Sequence, residues 1–236
     1  SLEAAVKKQK EEQGIEYDLK DDKQKDAVMK YKVNEIDFDK LPDKFVLKCN
    51  HGCGYNIICT DKSKLDIKQT RKQLNRWMKE VYGRNSFELH YSKIEPKIIC
   101  EEYLDFSRPE NAIDYKIQCI NGKPFCFLLC FDRDYTVGKA QLVSYSVDWL
   151  KKDFLKQESQ KSVSKPEELE KMLQYAEKLS KAFPYVRVDL YYINGAIYVG
   201  ELTFTPAGSI MDYYKDSTLE SIGKTLQLPR QYRKWF

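Results

Sequence analysis

Asp189 and Glu201 stand in two apolar runs, VRVDLYYI and YVGELTFTP, joined through Asn194-Gly195. A carboxylate in such surroundings costs free energy unless something pairs with it. Period-two alternation puts Arg187 and Asp189 on one face of the first run and Val186, Val188 and Leu190 on the other. Glu201 and Thr203 share a face of the second run. Asn-Gly between alternating apolar residues is a strong hairpin signal, and antiparallel pairing about it can bring the two polar faces together. One arginine, two carboxylates and a hydroxyl would then converge. Carboxylates so placed repel unless a cation lies between them. Mg²⁺ suits that place, because it takes hard oxygens from one or two carboxylates and completes its shell with substrate phosphates. The plainer alternative is an ion pair of Arg187 with Asp189 or Glu201 at a sheet edge.

Other residues offer weaker signals. Lys48 ends the run KFVLK and faces a turn holding Gly52 and Gly54, whose backbone amides could approach phosphate oxygens while the ammonium neutralises them. A solvated lysine at a strand end is the ordinary alternative. In IICEEYLDF an apolar strand runs into Glu101 and Glu102 and then Tyr103-Leu104, a segment whose backbone could meet a purine edge while an acidic residue takes ribose hydroxyls. Cys49 and Cys53 flank His51, yet no second Cys/His pair stands at zinc-finger spacing. Arg133, in CFDRDYT, is a candidate contact for a phosphate or an acceptor carboxylate, or a loop arginine paired with Asp132 or Asp134. His90 lies in a helix-to-strand connection and reads as structural.

The elements that must position these residues alternate in type. The first 40 or so residues, dense in Lys, Asp and Glu, predict a peripheral helix or two and a loop. Phe45 to Lys48 and Tyr55 to Cys59 predict a hairpin. DIKQTRKQLNRWMKEVYG predicts a helix burying Leu74, Trp77, Met78 and Val81 and stopping at Gly83. KIICEEYL is a strand, and IDYKIQCINGKPFCFLLCFDR a hairpin turned at Asn121-Gly122. PEELEKMLQYAEKLSKAF predicts a helix from Pro166, capped by Ser164 or a neighbour, with Leu169, Met172, Leu173, Ala176 and Leu179 on its apolar face. Antiparallel hairpins interleaved with helices point to α+β, divided as a charged segment over 1–40, a small lobe over 41–106 and a large lobe over 107–236.

Composition excludes other classes. A net charge of +4 is small beside 40 basic and 36 acidic residues and makes no case for nucleic acid. No apolar run approaches the roughly 20 residues of a membrane span. Most of the seven cysteines lie in apolar runs, as thiols under reducing conditions, so the expected location is the cytoplasm. Rossmann and P-loop fingerprints are absent, and Asp132 to Asp134, centred on a bulky cation, is a poor sugar-nucleotide motif.

Taken in order, "LPDKFVLKCNHGCGYNIICTDKSKLD", "KIICEEYL", "DYKIQCINGKP" and "VRVDLYYINGAIYVGELTFTPAG" resemble the ATP-grasp superfamily. Within it, they resemble the TupA-like family associated with capsular polysaccharide and teichuronopeptide synthesis. The likeness runs from about Asp37 to Gly208. It implies two α+β lobes with antiparallel sheets clasping ATP, without a full domain ahead of them. It further implies that Lys48 contacts the α- and β-phosphates and that the loop of His51, Gly52 and Gly54 folds over the phosphate tail. Glu101, Glu102, Tyr103 and Leu104 would form the adenine hinge, and Asp114 would take the ribose. Lys116 would reach phosphates or acceptor, Asp189 and Glu201 would hold Mg²⁺, and Arg187 would steady the transferring phosphoryl group. Thr203 stands where the superfamily usually has Asn, and its neutral hydroxyl is the weaker Mg²⁺ ligand of the two.

The implied activity is ligation in surface-polysaccharide biosynthesis. A carboxylate, such as one on a uronic-acid-containing carbohydrate, becomes an acyl phosphate and is captured by an amine. A kinase acting on a sugar or other hydroxyl is the first alternative, and a nucleotide-binding scaffold without turnover the second.

Overall fold

The computed structural model of the chain describes residues 29–83, 88–134 and 139–228. The N-terminal segment to residue 28, the C-terminal tail beyond Leu228 and the side chain of His90 lie outside the described residues. The chain divides into two compact units, one ending at Tyr103 and the other beginning at Leu104.

The first unit is built on an antiparallel sheet of four strands, β1 (Met29–Tyr31), β2 (Phe45–Cys49), β3 (Asn56–Cys59) and β4 (Ile98–Glu102), in the order β1-β4-β2-β3. Phe45, Leu47 and Cys49 alternate inward along β2 and pack with Ile98, Cys100 and Leu74. Leu74 belongs to α1 (Ile67–Trp77), which the Asp66 carboxylate caps by accepting from the Gln69 amide at 2.9 Å. Val81, expected on the buried face of this helix, lies beyond its end and is exposed, because the chain leaves the helix after Trp77. The described end of the charged segment, from Met29 on, is packed against the first unit. Met29–Tyr31 joins the sheet, and Val33, Ile36 and Phe38 are buried in the core. Arg71 of α1 holds that stretch, donating to Val33 O at 2.6 Å and Ile36 O at 2.8 Å and stacking over Phe38.

The second unit is an antiparallel sheet of six strands, β5 (Asp114–Ile120), β6 (Lys123–Asp134), β7 (Lys139–Ser146), β8 (Lys151–Lys152), β9 (Tyr185–Ile193) and β10 (Ala196–Thr203), ordered β10-β9-β5-β6-β7-β8. Both Asn-Gly turns form as expected, with positive φ at Asn121, Gly122, Asn194 and Gly195. The helix α2 (Leu169–Ser180) covers one face, burying Leu169, Met172 and Ala176 against Ile117, Val186 and Val188. It starts three residues later than Pro166, and no side chain caps it, so Ser164 does not have the capping role. The opposite face of the sheet is split. Leu128 packs there with Leu155 and Tyr214, beside α3 (Asp216–Thr225), while β5, β9 and β10 line up charged residues. Among the described residues no helix is long and apolar enough to cross a membrane, and all seven cysteines are free thiols.

Candidate active site

The register of three strands assembles the charged cluster. Lys116 on β5 is the ladder partner of Asp189 on β9, and Asp189 is the partner of Glu201 on β10. Asp114, two residues before Lys116, shares its face. Lys116 Nζ lies 2.7 Å from Asp189 Oδ2 and 2.6 Å from Asp114 Oδ2. Arg187 forks onto Asp189, with Nε donating to Oδ1 at 2.7 Å and Nη2 to Oδ2 at 2.6 Å. The same Nη2 reaches Glu201 Oε1 at 3.2 Å and Thr203 Oγ1 at 3.1 Å, and the Thr203 hydroxyl donates to Glu201 Oε1 at 3.0 Å. Arg133 stands at the other end, its Nη2 3.5 Å from Asp114 Oδ2 and 3.0 Å from Cys130 Sγ, whereas Asp132 pairs with Lys161. Thus Arg187 pairs with both carboxylates at once, with Asp189 on its own strand and with Glu201 across the ladder.

Burial sets the electrostatics. Asp189 is 2% exposed and Asp114 8%, while the Glu201 side chain is open to solvent. Burial alone would lower the Arg187 guanidinium, but the hydrogen-bonded Asp189 and then Glu201 hold it above its ordinary value. Burial likewise opposes the charge on Lys116, and Asp189 with Asp114 lifts it above the usual lysine value. For Asp114 burial dominates and pushes the carboxyl up, against the pull of Lys116. Its Oδ1 is buried with no hydrogen-bond partner, so the cluster is held together on one side and unsatisfied on the other.

In the first unit, Lys48 pairs with Glu101, each half-exposed, across neighbouring strands β2 and β4. Gly52 and Gly54 lie in the turn after β2, and Gly54 is exposed with φ +77, a conformation glycine adopts without strain. His51, in the same turn, is 3% exposed with Nε2 2.9 Å from Trp77 O, so its ring faces the helix end. Glu102 is exposed, and Tyr103 is half-buried under the Lys44 ammonium. Leu104, also half-buried, opens the second unit.

Two parts of the second unit gave no sequence signal. Tyr213, beyond β10, feels the charge of Arg187, which opposes the upward push that burial gives its phenol. Glu158 lies in a loop and gathers the Ser144 amide and hydroxyl with the Phe154 and Leu155 amides, a staple that only the folded loop brings together.

Asp189, Glu201 and Thr203 offer only oxygen donors, and Asp114 adds an unpartnered buried oxygen, a donor chemistry that fits Mg²⁺. Among the described residues no group of three or more His, Cys, Asp or Glu could hold a metal ion by itself. Two carboxylates completed by phosphate oxygens is the mode that fits such a set. In CNHGC, likewise, no metal-holding group forms.

One sheet thus carries a strand lysine beside a glycine-bearing turn, and the other an Arg-x-Asp strand against a Glu-x-Thr strand. A family model described as TupA-like ATPgrasp matches residues 6–227, and the chain belongs to that family. A search of curated proteins finds no match. Among solved structures, D-alanine–D-alanine ligase from Bacillus anthracis is similar at 16% identity and TM-score 0.49, covering 83% of this chain and 55% of that one. Its complex with ATP aligns at 15% and 0.44, over 94% and 66% of the two chains. ATP-grasp ligase PsnB with minimal precursor, Mg and ADP aligns at 14% and 0.41, over 78% and 45%. The chain therefore spans between about half and two thirds of the length of these enzymes.

Proposed function

We propose that the protein is an ATP- and Mg²⁺-dependent ligase of surface-polysaccharide biosynthesis that joins a carboxylate to an amine. The observation that carries the metal half of this reading is the ladder pairing of Asp189 with Glu201, two carboxylates set side by side with Arg187 bound to both. Asp189 and Glu201, with Thr203 beside them, would hold Mg²⁺. The ion would supply charge neutralisation of the phosphate oxygens. Arg187 and Lys116 are the cations that would hold the oxygens of the transferring phosphoryl group. Lys48, released from Glu101, would hold the inner phosphates, with the backbone of Gly52 and Gly54 closing on the tail. Glu101 to Leu104 would hold the adenine and Asp114 the ribose. Arg133 would take a phosphate or the acceptor carboxylate.

The chemistry balances in two steps. A carboxylate oxygen of the acceptor attacks the γ-phosphorus and ADP leaves, giving an acyl phosphate. The amine then attacks the acyl carbon, phosphate leaves with the carbon–oxygen bonding pair, and the nitrogen loses a proton. Family membership supports the nucleotide, and the sequence resemblance implies capsular polysaccharide, hence a uronic-acid-containing acceptor. The test is incubation with ATP, Mg²⁺, uronic-acid oligosaccharides and amino acids, followed by the product's mass. Ligation adds the amine less water. Addition of phosphate alone would replace the ligase with a kinase, and binding of ATP without consumption would leave a scaffold.

A further inference from the structure

The hairpin of β9 and β10 holds one residue more than its ladder needs. We infer that this residue, Gly200, is a positioning residue for the carboxylate pair; the inference deepens the metal reading above and rests on it. From the Asn194-Gly195 turn the ladder pairs Ile193 with Ala196, Tyr192 with Ile197, Tyr191 with Tyr198 and Leu190 with Val199. Continued without interruption, it would set Asp189 against Gly200 and Val188 against Glu201. Val188 is fully buried under α2, so straight pairing would carry Glu201 and then Thr203 onto the apolar face. Instead the register shifts between Val199 and Glu201, and pairing resumes as Asp189 with Glu201, Val188 with Leu202 and Arg187 with Thr203. Val199 and Glu201, two residues apart, consequently lie on opposite faces, and Leu202 takes the place on the apolar core. One extra residue in one strand is a β-bulge, a device that re-aims side chains.

Glycine is required here for room. Gly200 is not among the residues of positive φ, so handedness is not the reason. A Cβ at this position would stand 2.8 Å from Tyr191 Cε2 and 3.3 Å from Asp189 O. The Tyr191 ring lies over the bulge and packs edge-on against Phe106, with centroids 5.1 Å apart. Tyr191 shares the face of Asp189, and after burial the charges of Asp114, Asp189 and Glu201 push its phenol up. A larger residue at 200 must therefore displace the ring at the edge of the cluster or undo the bulge.

Deleting Gly200 makes the opposite prediction. It leaves Glu201 next after Val199, directly opposite Asp189, with the same partners downstream. The experiment compares wild type, Gly200→Ala, Gly200→Val and the Gly200 deletion. Cross-strand NMR contacts read the register, and ATP binding titrated with Mg²⁺ reads the site. The contacts from 189 to 201 should persist in wild type and the deletion. Overpacking should raise the Mg²⁺ needed for half-saturation about tenfold or more in Gly200→Val and several-fold in Gly200→Ala, while the deletion stays within about threefold of wild type. Should Gly200→Val not fold, Gly200→Ala carries the comparison. Alanine and valine variants with the wild-type Mg²⁺ requirement, or a deletion as impaired as valine, overturn the inference. A wild type that shows the 189–201 contacts yet binds ATP identically with and without Mg²⁺ overturns the metal reading itself, a separate result.

Discussion

The ammonium of Lys116 lies 2.7 Å from Oδ2 of Asp189. The same ammonium is 2.6 Å from Asp114, so a single positive charge on β5 bridges two buried carboxylates. Removing it should have two consequences. Lys116→Met leaves the acids without this partner, and loss of one member of a buried pair costs about 3–5 kcal/mol, read in urea unfolding. The bared carboxylates should also draw a divalent ion unaided, so that Mg²⁺ without nucleotide raises the variant's melting temperature more than that of wild type. An equal response in the two proteins would count against Lys116 as the resident counter-ion.

Asp114 gives a prediction with a sign. Burial raises its folded carboxyl above the unfolded value, so between those two values the native state binds more protons than the unfolded one. Stability contributed by this group is present below its unfolded pKa and lost as pH rises through the folded one. Asp114→Asn removes the term. Measured against wild type, the variant should gain stability as pH rises above about 4, the range in which the wild-type carboxyl ionises. A constant difference across that range would show that Lys116 fully compensates the burial.

Much of this arrangement is legible in the sequence, for identifiable reasons. Asn-Gly turns fix hairpins locally, and alternation along VRVDLYYI separates Arg187 and Asp189 from Val186, Val188 and Leu190, as found. Convergence with Glu201 and Thr203 was expected from hairpin pairing alone, yet strict alternation from the turn places them on the other face. The bulge that corrects this sits where a Cβ at Gly200 would meet the Tyr191 ring, a proximity that no spacing encodes. The bond of His51 to Trp77 O joins residues 26 apart and buries the imidazole, a contact that no local spacing encodes. Length patterns also mislead at helix ends. The periodicity that reaches Val81 outlasts the helix, and Pro166 precedes the first helical turn by three residues.

Glu158 supplies a contrast between a carboxylate that holds the fold and those of the candidate site. It accepts from the Ser144 amide at 3.0 Å and from the Phe154 and Leu155 amides at 3.1 Å each. Glu158→Ala should cost about 1–3 kcal/mol for each donor left buried and unpaired. Its effect on the melting-temperature rise produced by ATP and Mg²⁺ should be nil, since none of these contacts involves the cluster of Lys116, Arg187 and Asp189. Loss of the nucleotide response in a folded Glu158→Ala protein would join the staple to the site.

Arg187 tests whether geometry or charge matters at the centre of the cluster. Its guanidinium gives Asp189 two parallel bonds, Nε to Oδ1 and Nη2 to Oδ2, and still reaches Glu201 and Thr203. A lysine ammonium keeps the charge but is a point donor on a flexible stem, and it cannot reproduce the fork. Arg187→Lys should therefore lose about 1.5–3 kcal/mol of stability for a charged hydrogen bond forgone, read as a lower urea midpoint at unchanged m. If the arginine also holds the transferring phosphoryl group, the two substitutions diverge in catalysis. Lysine should lower turnover while ATP affinity changes little, and Arg187→Met should abolish turnover. Equal turnover in arginine and lysine proteins would mean that positive charge alone suffices, and that the fork serves to hold Asp189 in place under the sheet.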